Sequence, residues 1–245
     1  MLMELIRRAE KSCRRRGVMR TAWMAPMVAA RLLRSRLPGQ RRQVEASRKA
    51  QLAFDEEHGV QTASNVLLSD LRIGGGNWVY GNTYEPITAG AFHHLMRAMP
   101  IRYEDFTFID FGSGKGKAAL LATEYPLRRI VGVELSPELH GVAESNLRRF
   151  KSEGRRCWNV ELWNGDALAY PLPEEPSIFF LYNPFEEQVM GPLIERIGES
   201  LRRVPRRVVV IYDTPRHAEL WDRCGFVKRV AGDEGGMVWA NAECV

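Results

Sequence analysis

The sequence predicts an α/β fold built on a doubly wound, mainly parallel sheet. Three observations predict it. Phe106–Leu121 reads as a short apolar strand, a turn holding Gly112, Gly114 and Gly116, and an Ala/Leu-rich helix. A second apolar run, Arg129–Leu135, follows that helix and carries an acid, Glu134, about 20 residues beyond the glycine turn. Short apolar runs then keep alternating with helical patterns along the rest of the chain, as parallel strands covered by helices require.

Composition sets the frame. The chain has 245 residues, enough for one sizeable domain and an appendage. An apolar fraction of 45% and a charged fraction of 27% are those of a soluble globular protein. Residues 1–50 carry 14 Lys/Arg against 3 Asp/Glu, net +11; residues 51–245 carry 21 against 27, net −6. A basic arm on a mildly acidic body is the expected organisation. Cys13, Cys157, Cys224 and Cys244 are scattered, with no Cys-x-x-Cys pair and no histidine at ligand spacing. Reduced thiols of a cytoplasmic protein without a metal site are expected.

Taken in order, the arm 1–37 is Arg-rich, with clusters such as Arg14–Arg16 and an apolar patch, Trp23–Val28, broken by Pro26. That patch is too short to cross a bilayer. It also lacks the apolar core and cleavage site of a secretory signal. The arginines suit contact with nucleic acid such as RNA, an acidic protein surface or anionic lipid, or simply a solvated arm. Pro38-Gly39 punctuates its end, and Gln40–His58 reads as a helix stopped by Gly59. Arg72–Pro86 is a glycine-rich loop bearing Trp78, Tyr80 and Tyr84, and a helix is expected over Pro86–Met99. Within it, the tandem His93-His94 points one ring inward and the other outward.

After the glycine turn, Lys117–Tyr125 reads as a helix and Arg129–Leu135 as a strand. Ser136 and Pro137 start a helix to about Phe150. Asn159–Leu162 is the third expected strand, ahead of Gly165-Asp166, and Ser177–Tyr182 is the fourth, running into Asn183-Pro184-Phe185. A helix over Glu186–Val204, a strand over Arg207–Tyr212 and a short helix near His217–Arg223 follow. The strands Phe226–Val230 and Gly236–Ala240, joined by a glycine-rich hairpin, close the chain.

The glycine turn decides between nucleotide-binding motifs. A dinucleotide fingerprint needs a third glycine where Lys117 stands, and a P-loop needs Ser or Thr where Ala118 stands. Neither fits, which disfavours a nicotinamide oxidoreductase. What remains is Asp110 followed by glycines at alternate positions, 112, 114 and 116. This resembles the first motif of the class I S-adenosylmethionine-dependent methyltransferases, and the resemblance covers about Thr83 to Ala242.

The resemblance implies a Rossmann-like sheet of seven strands in the order 3-2-1-4-5-7-6, the last antiparallel. With the basic, largely helical extension that charge and pattern put at 1–60, it implies a methyltransferase domain over 61–245. It implies S-adenosyl-L-methionine as cofactor, held by Asp110, Gly112, Ser113, Gly114 and Gly116, with Glu134 and Leu135 at the ribose. Asp166 and Ala167 would lie at the adenine. Thr83–Thr88 is similar to a segment that lies over the cofactor in some non-SET protein-lysine methyltransferases, which puts Tyr84, Glu85 and Thr88 nearby.

Asn183 stands where such enzymes hold the acceptor. By resemblance it orients a nitrogen nucleophile and also touches the cofactor, with Tyr182 and Tyr84 as further catalytic candidates. Physically, the Asn183 amide oxygen and the Pro184 carbonyl can accept hydrogen bonds from an amine, and Tyr182 and Phe185 can wall its site. Methyl transfer to protein lysine is the first expectation. RNA, a small molecule, or a non-catalytic cofactor-binding module acting through its arm stand as alternatives. The sequence leaves the oligomeric state open.

Overall fold

A computed structural model describes residues 38–66, 80–81, 84–233 and 235–243. The arm 1–37, most of the glycine-rich loop including Trp78, and Cys13 and Cys244 lie outside the described residues. Two compact units divide the chain, Met1–Ala53 and Phe54–Val245.

Helix α1, Pro38–His58, supplies what is described of the first unit, and its last turn belongs to the second. It begins two residues ahead of the expected Gln40, because the fixed φ of proline suits a first helical turn. It stops at Gly59, whose φ is +70°.

The second unit carries one seven-stranded sheet. Its strands are β1 Thr107–Phe111, β2 Arg129–Glu134, β3 Val160–Asn164, β4 Ser177–Tyr182, β5 Val208–Asp213, β6 Lys228–Gly232 and β7 Gly236–Ala240. Their order is β3-β2-β1-β4-β5-β7-β6. The first five pair in parallel, and β7 runs antiparallel to both of its neighbours. This is the seven-stranded Rossmann-like order, with its antiparallel β7, that the resemblance implied. The helices are α2 Ala89–Met96, α3 Lys117–Ala122, α4 Pro137–Arg149, α5 Glu187–Arg203 and α6 Ala218–Arg223.

The central strands explain their own composition. Every residue of β1 and β5 is buried, so their sequences are mainly apolar, with Asp110 the next-to-last residue of β1 and Asp213 the last of β5. Alternate residues feed two cores. Phe108, Phe180 and Ile211 enter one with Phe92; Phe111, Phe179 and Tyr212 enter the other with Trp221 and Trp239. Truncating a fully buried ring such as Phe180 to alanine removes about 3–5 kcal/mol. The edge strands β3 and β6 are mostly half-buried or exposed.

Element ends moved where side chains cap the backbone. Helix α2 starts at Ala89 rather than Pro86, because the Thr88 hydroxyl accepts the Ala91 N–H at 3.2 Å. Within α2, His93 is half-buried, its Nδ1 2.9 Å from the Tyr125 hydroxyl, and His94 faces outward. Helix α3 stops at Ala122 rather than Tyr125, because the Thr123 carbonyl accepts the N–H groups of Arg156 and Cys157 instead of continuing the helix. Strand β6 lies two residues later than expected, with a register shift between Arg229 and Ala231.

Candidate active site

The carboxyl ends of β1, β2 and β4 surround one cleft that encloses about 930 Å³ of non-atom space, its mouth included. That is the side of an open α/β sheet on which ligands bind.

The β1 turn is tight because it must be. Gly112 (φ +80°) has its missing Cβ directed at Pro184, 2.5 Å from that residue's Cβ. Gly114 (φ +55°) has the Tyr84 ring 2.1 Å from where a Cβ would stand. The turn is bonded to β2: the N–H groups of Gly112 and Ser113 donate to the Val133 carbonyl at 2.9 and 3.0 Å. The Gly114 N–H donates to Glu134 Oε2 at 2.8 Å, and the Ser136 N–H to Glu134 Oε1 at 2.8 Å. Each carboxylate oxygen can accept a second bond, so Glu134 retains capacity toward a diol. The Ser113 hydroxyl is buried without a hydrogen-bond partner.

Electrostatics here are dominated by burial. Asp110, 3% exposed, is pushed up to about 8, first by burial and then by the charge of Glu134. Glu134 is also raised by burial, against the pull of its backbone N–H donors. The Tyr84 phenol is pushed well above its ordinary value by burial and by the charges of Asp55, Asp110 and Glu134. Lys117, 2% exposed, is lowered to about 8 by burial, with Asp55 opposing the shift.

A cover lies over the glycine turn. Asp55, in the last turn of α1, accepts N–H bonds from Thr62 (2.6 Å) and Ala63 (2.8 Å) and the Thr62 hydroxyl (2.6 Å). Tyr84 donates its hydroxyl to the Thr62 carbonyl at 3.1 Å and exchanges backbone bonds with Val66. Lys115 reaches across to the Ser64 carbonyl at 2.8 Å. On the other side, Gly81 pairs with Phe185, and the Glu186 N–H donates to the Tyr80 carbonyl at 2.8 Å.

The cleft brings together Tyr84, Glu85, Asp110, Gly112, Ser113, Gly114, Glu134, Leu135, Asp166, Ala167, Tyr182 and Asn183. Gly116 and Thr88 do not line it. Gly116, with φ +83°, is the N-cap of α3, and Thr88 is the N-cap of α2. Asp166 Oδ1 accepts the Leu168 N–H at 2.9 Å, which shapes the turn after β3 while the residue still lines the cleft. Asn183 sits at φ +41°, a conformation asparagine tolerates better than most residues. The sequence reading missed Ile87, Lys117, Leu139 and Val189 as lining residues; only the strand-helix alternation could have flagged the two on α4 and α5.

The donor set suits a nucleoside. Apolar Leu135, Leu139 and Ala167 can take a base, Glu134 a ribose, and Asp166 an exocyclic amine. The acids of the lining, Glu85, Asp110, Glu134 and Asp166, outnumber its one lysine, Lys117, and four of its side chains are the aromatic Tyr84, Phe180, Tyr182 and Phe185. Among the described residues no cluster of metal-ligating side chains occurs, and no helix is long and apolar enough to cross a membrane.

No family model and no curated protein matches the chain. Among solved structures, the chain is similar to an RNA methyltransferase from Salinibacter ruber in complex with S-adenosyl-L-homocysteine. The identity is 20%, the match covers 63% of this chain and 91% of that one, and the TM-score is 0.41. It is similar to the ribosomal protein L11 methylase of Lactobacillus delbrueckii subsp. bulgaricus at 17% identity, 63% and 77% coverage and a TM-score of 0.43. A third is the precorrin-6y C5,15-methyltransferase of Geobacter metallireducens, at 16% identity, 62% and 87% coverage and a TM-score of 0.42. The fold itself stands on the strand order and the antiparallel β7.

Proposed function

We propose that the chain is an S-adenosyl-L-methionine-dependent methyltransferase that acts on a nitrogen acceptor, with protein lysine as the first reading. The observation that carries this is the single cleft in which the glycine turn after β1, Glu134 at the end of β2 and Asn183 after β4 face one another.

The residues divide the work by position. Asp110 and the backbone of Gly112–Gly114 would hold the amino-acid end of the cofactor, Glu134 its ribose, and Asp166 with Leu135 and Ala167 its adenine. The cofactor supplies a methyl group already made electrophilic by a sulfonium, so no strong nucleophile has to be built by the protein. What remains is to hold the acceptor in line and keep water out. Asn183 orients the incoming amine through its amide oxygen. Tyr182 and Phe185 wall it, and Tyr84 closes the cleft over the glycine turn.

Glu85, the one acid of the lining not assigned to the cofactor, together with the aromatic Tyr84, Phe180, Tyr182 and Phe185, favours a cationic acceptor over a phosphate-rich one. Full-length protein incubated with cell lysate and methyl-labelled S-adenosylmethionine tests this. Label on protein that survives nuclease and disappears with Asn183→Ala is expected. Label on RNA, or only in the low-mass fraction, would replace lysine with those acceptors. No transfer to any fraction despite cofactor binding would leave a binding module.

A further inference from the structure

The end of β5 repeats the end of β4. Tyr182 and Asp213 are register partners in adjacent parallel strands, and each is the last residue of its strand. Each is followed by a non-glycine residue with positive φ, Asn183 at +41° and Thr214 at +51°, and then by a proline. A β-branched residue such as Thr214 rarely adopts that conformation. The turn is held by the Thr214 N–H donating to the Gly235 carbonyl and by the Thr214 hydroxyl donating to Asp213 Oδ1, both at 2.8 Å.

Residue alternation places the two side chains on one face of the sheet. Val209 and Ile211 of β5 enter the core against which Tyr182 packs, whereas Val208, Val210 and Tyr212 enter the other. Asp213, 7% exposed, therefore shares the face of Tyr182 but does not itself line the cleft. Tyr182 does line it, and after burial the charge of Asp213 raises its phenol most, ahead of that of Glu85, which also lines the cleft.

We propose that Asp213 is a positioning residue of the acceptor site, whose carboxylate, set behind Tyr182, seats a primary alkylammonium against the Tyr182 ring. This rests on the methyltransferase reading and names the charge state in which its acceptor is first bound. A fixed negative charge one ring away raises the attraction of that ring and its surroundings for a cation and leaves a neutral isostere unaffected. The strained Thr214 turn keeps the carboxylate in place. In the folded chain Asp213 titrates at about 6, so it is charged at neutral pH.

The test uses the full chain saturated with S-adenosylhomocysteine and two probes of the same shape, n-butylammonium and n-butanol. Their affinities are measured by calorimetric competition or chemical-shift titration. The wild type is expected to prefer the cation, and Asp213→Asn to lower that preference roughly tenfold. Asp213→Glu is expected to retain most of it, and S-adenosylhomocysteine affinity should stay within twofold in both variants. An unchanged preference in a folded Asp213→Asn overturns the proposal. So does a wild type that binds the alcohol as well as the ammonium, an outcome that does not depend on any variant folding. Failure of S-adenosylhomocysteine to bind the wild type would instead sink the cofactor assignment.

Discussion

The turns after β1 and those after β4 and β5 solve the same problem in opposite ways. After β1 the chain turns on Gly112 and Gly114, which reach positive φ without a steric penalty. After β4 and β5 it turns on Asn183 and Thr214, which reach positive φ at a cost of order 1–3 kcal/mol each. The glycine end presents bare backbone, suited to a cofactor that must lie close. The asparagine–threonine end keeps side chains at the turns, suited to orienting an acceptor. Strain at the second end persists only because Pro184, Pro215 and the bonds around Gly235 and Tyr80 over-determine the backbone.

The largest expected disturbance breaks the glycine end. Gly114→Ala places a Cβ 2.1 Å from the Tyr84 ring, so the ring or the turn must move. Affinity for S-adenosylhomocysteine should fall by roughly 10- to 100-fold, since forcing an extra methyl into a packed turn costs about 1–3 kcal/mol. Gly141→Ala, whose Cβ meets open space on α4, should leave it unchanged. Equal affinity in wild type and Gly114→Ala, measured by calorimetry, would remove the Tyr84 contact from the site.

The next effect separates strain from chemistry at the other end. Asn183→Ala should lower methyl transfer by about 100-fold, as loss of one positioned polar group does, with cofactor affinity within threefold. Asn183→Gly relieves the backbone yet lacks the amide. If it is as slow as Asn183→Ala, the side chain orients the acceptor; if it recovers full turnover, the amide has no such role.

The carboxylates sharpen the comparison through pH. Asp110 titrates at about 8 in the folded chain against 3.8 unfolded. In between, the unfolded chain has released the proton and the folded chain holds it, so stability falls as pH rises. This contribution is complete below about pH 4, erodes by about 1 kcal/mol per pH unit, and is gone by about pH 8. Denaturant titrations from pH 5 to 8 should show that slope in wild type and a flatter one in Asp110→Asn. Identical slopes would mean that Asp110 is ionised throughout.

The smallest effect concerns a residue the sequence placed in the site. Thr88→Ala should cost about 1 kcal/mol through loss of the α2 cap. It should shift S-adenosylhomocysteine affinity by less than twofold. A tenfold loss of affinity with unchanged melting temperature would return Thr88 to the cofactor.

The same contrast explains what could be read in advance. Strands β1, β2 and β4 were legible because buried parallel strands are uninterrupted apolar runs, and the β1 turn because three alternating glycines have few uses. Glu134 was legible because its distance from that turn is fixed by one helix. Thr88, expected near the cofactor, caps α2 and does not line the cleft, and sequence cannot tell a capping hydroxyl from a ligand contact. Asp213 was silent because its importance depends on register with Tyr182, a relation between residues that are 31 positions apart. The cover built on Asp55 was equally hidden, since its partners Thr62, Ala63 and Tyr84 become neighbours only when the chain folds back over Gly114.

The most direct test is calorimetric titration of the full chain with S-adenosylhomocysteine and, separately, with NAD. One saturable site for S-adenosylhomocysteine, lost in Glu134→Ala, and no heat with NAD is the predicted result. Saturable binding of NAD with none of S-adenosylhomocysteine would contradict it.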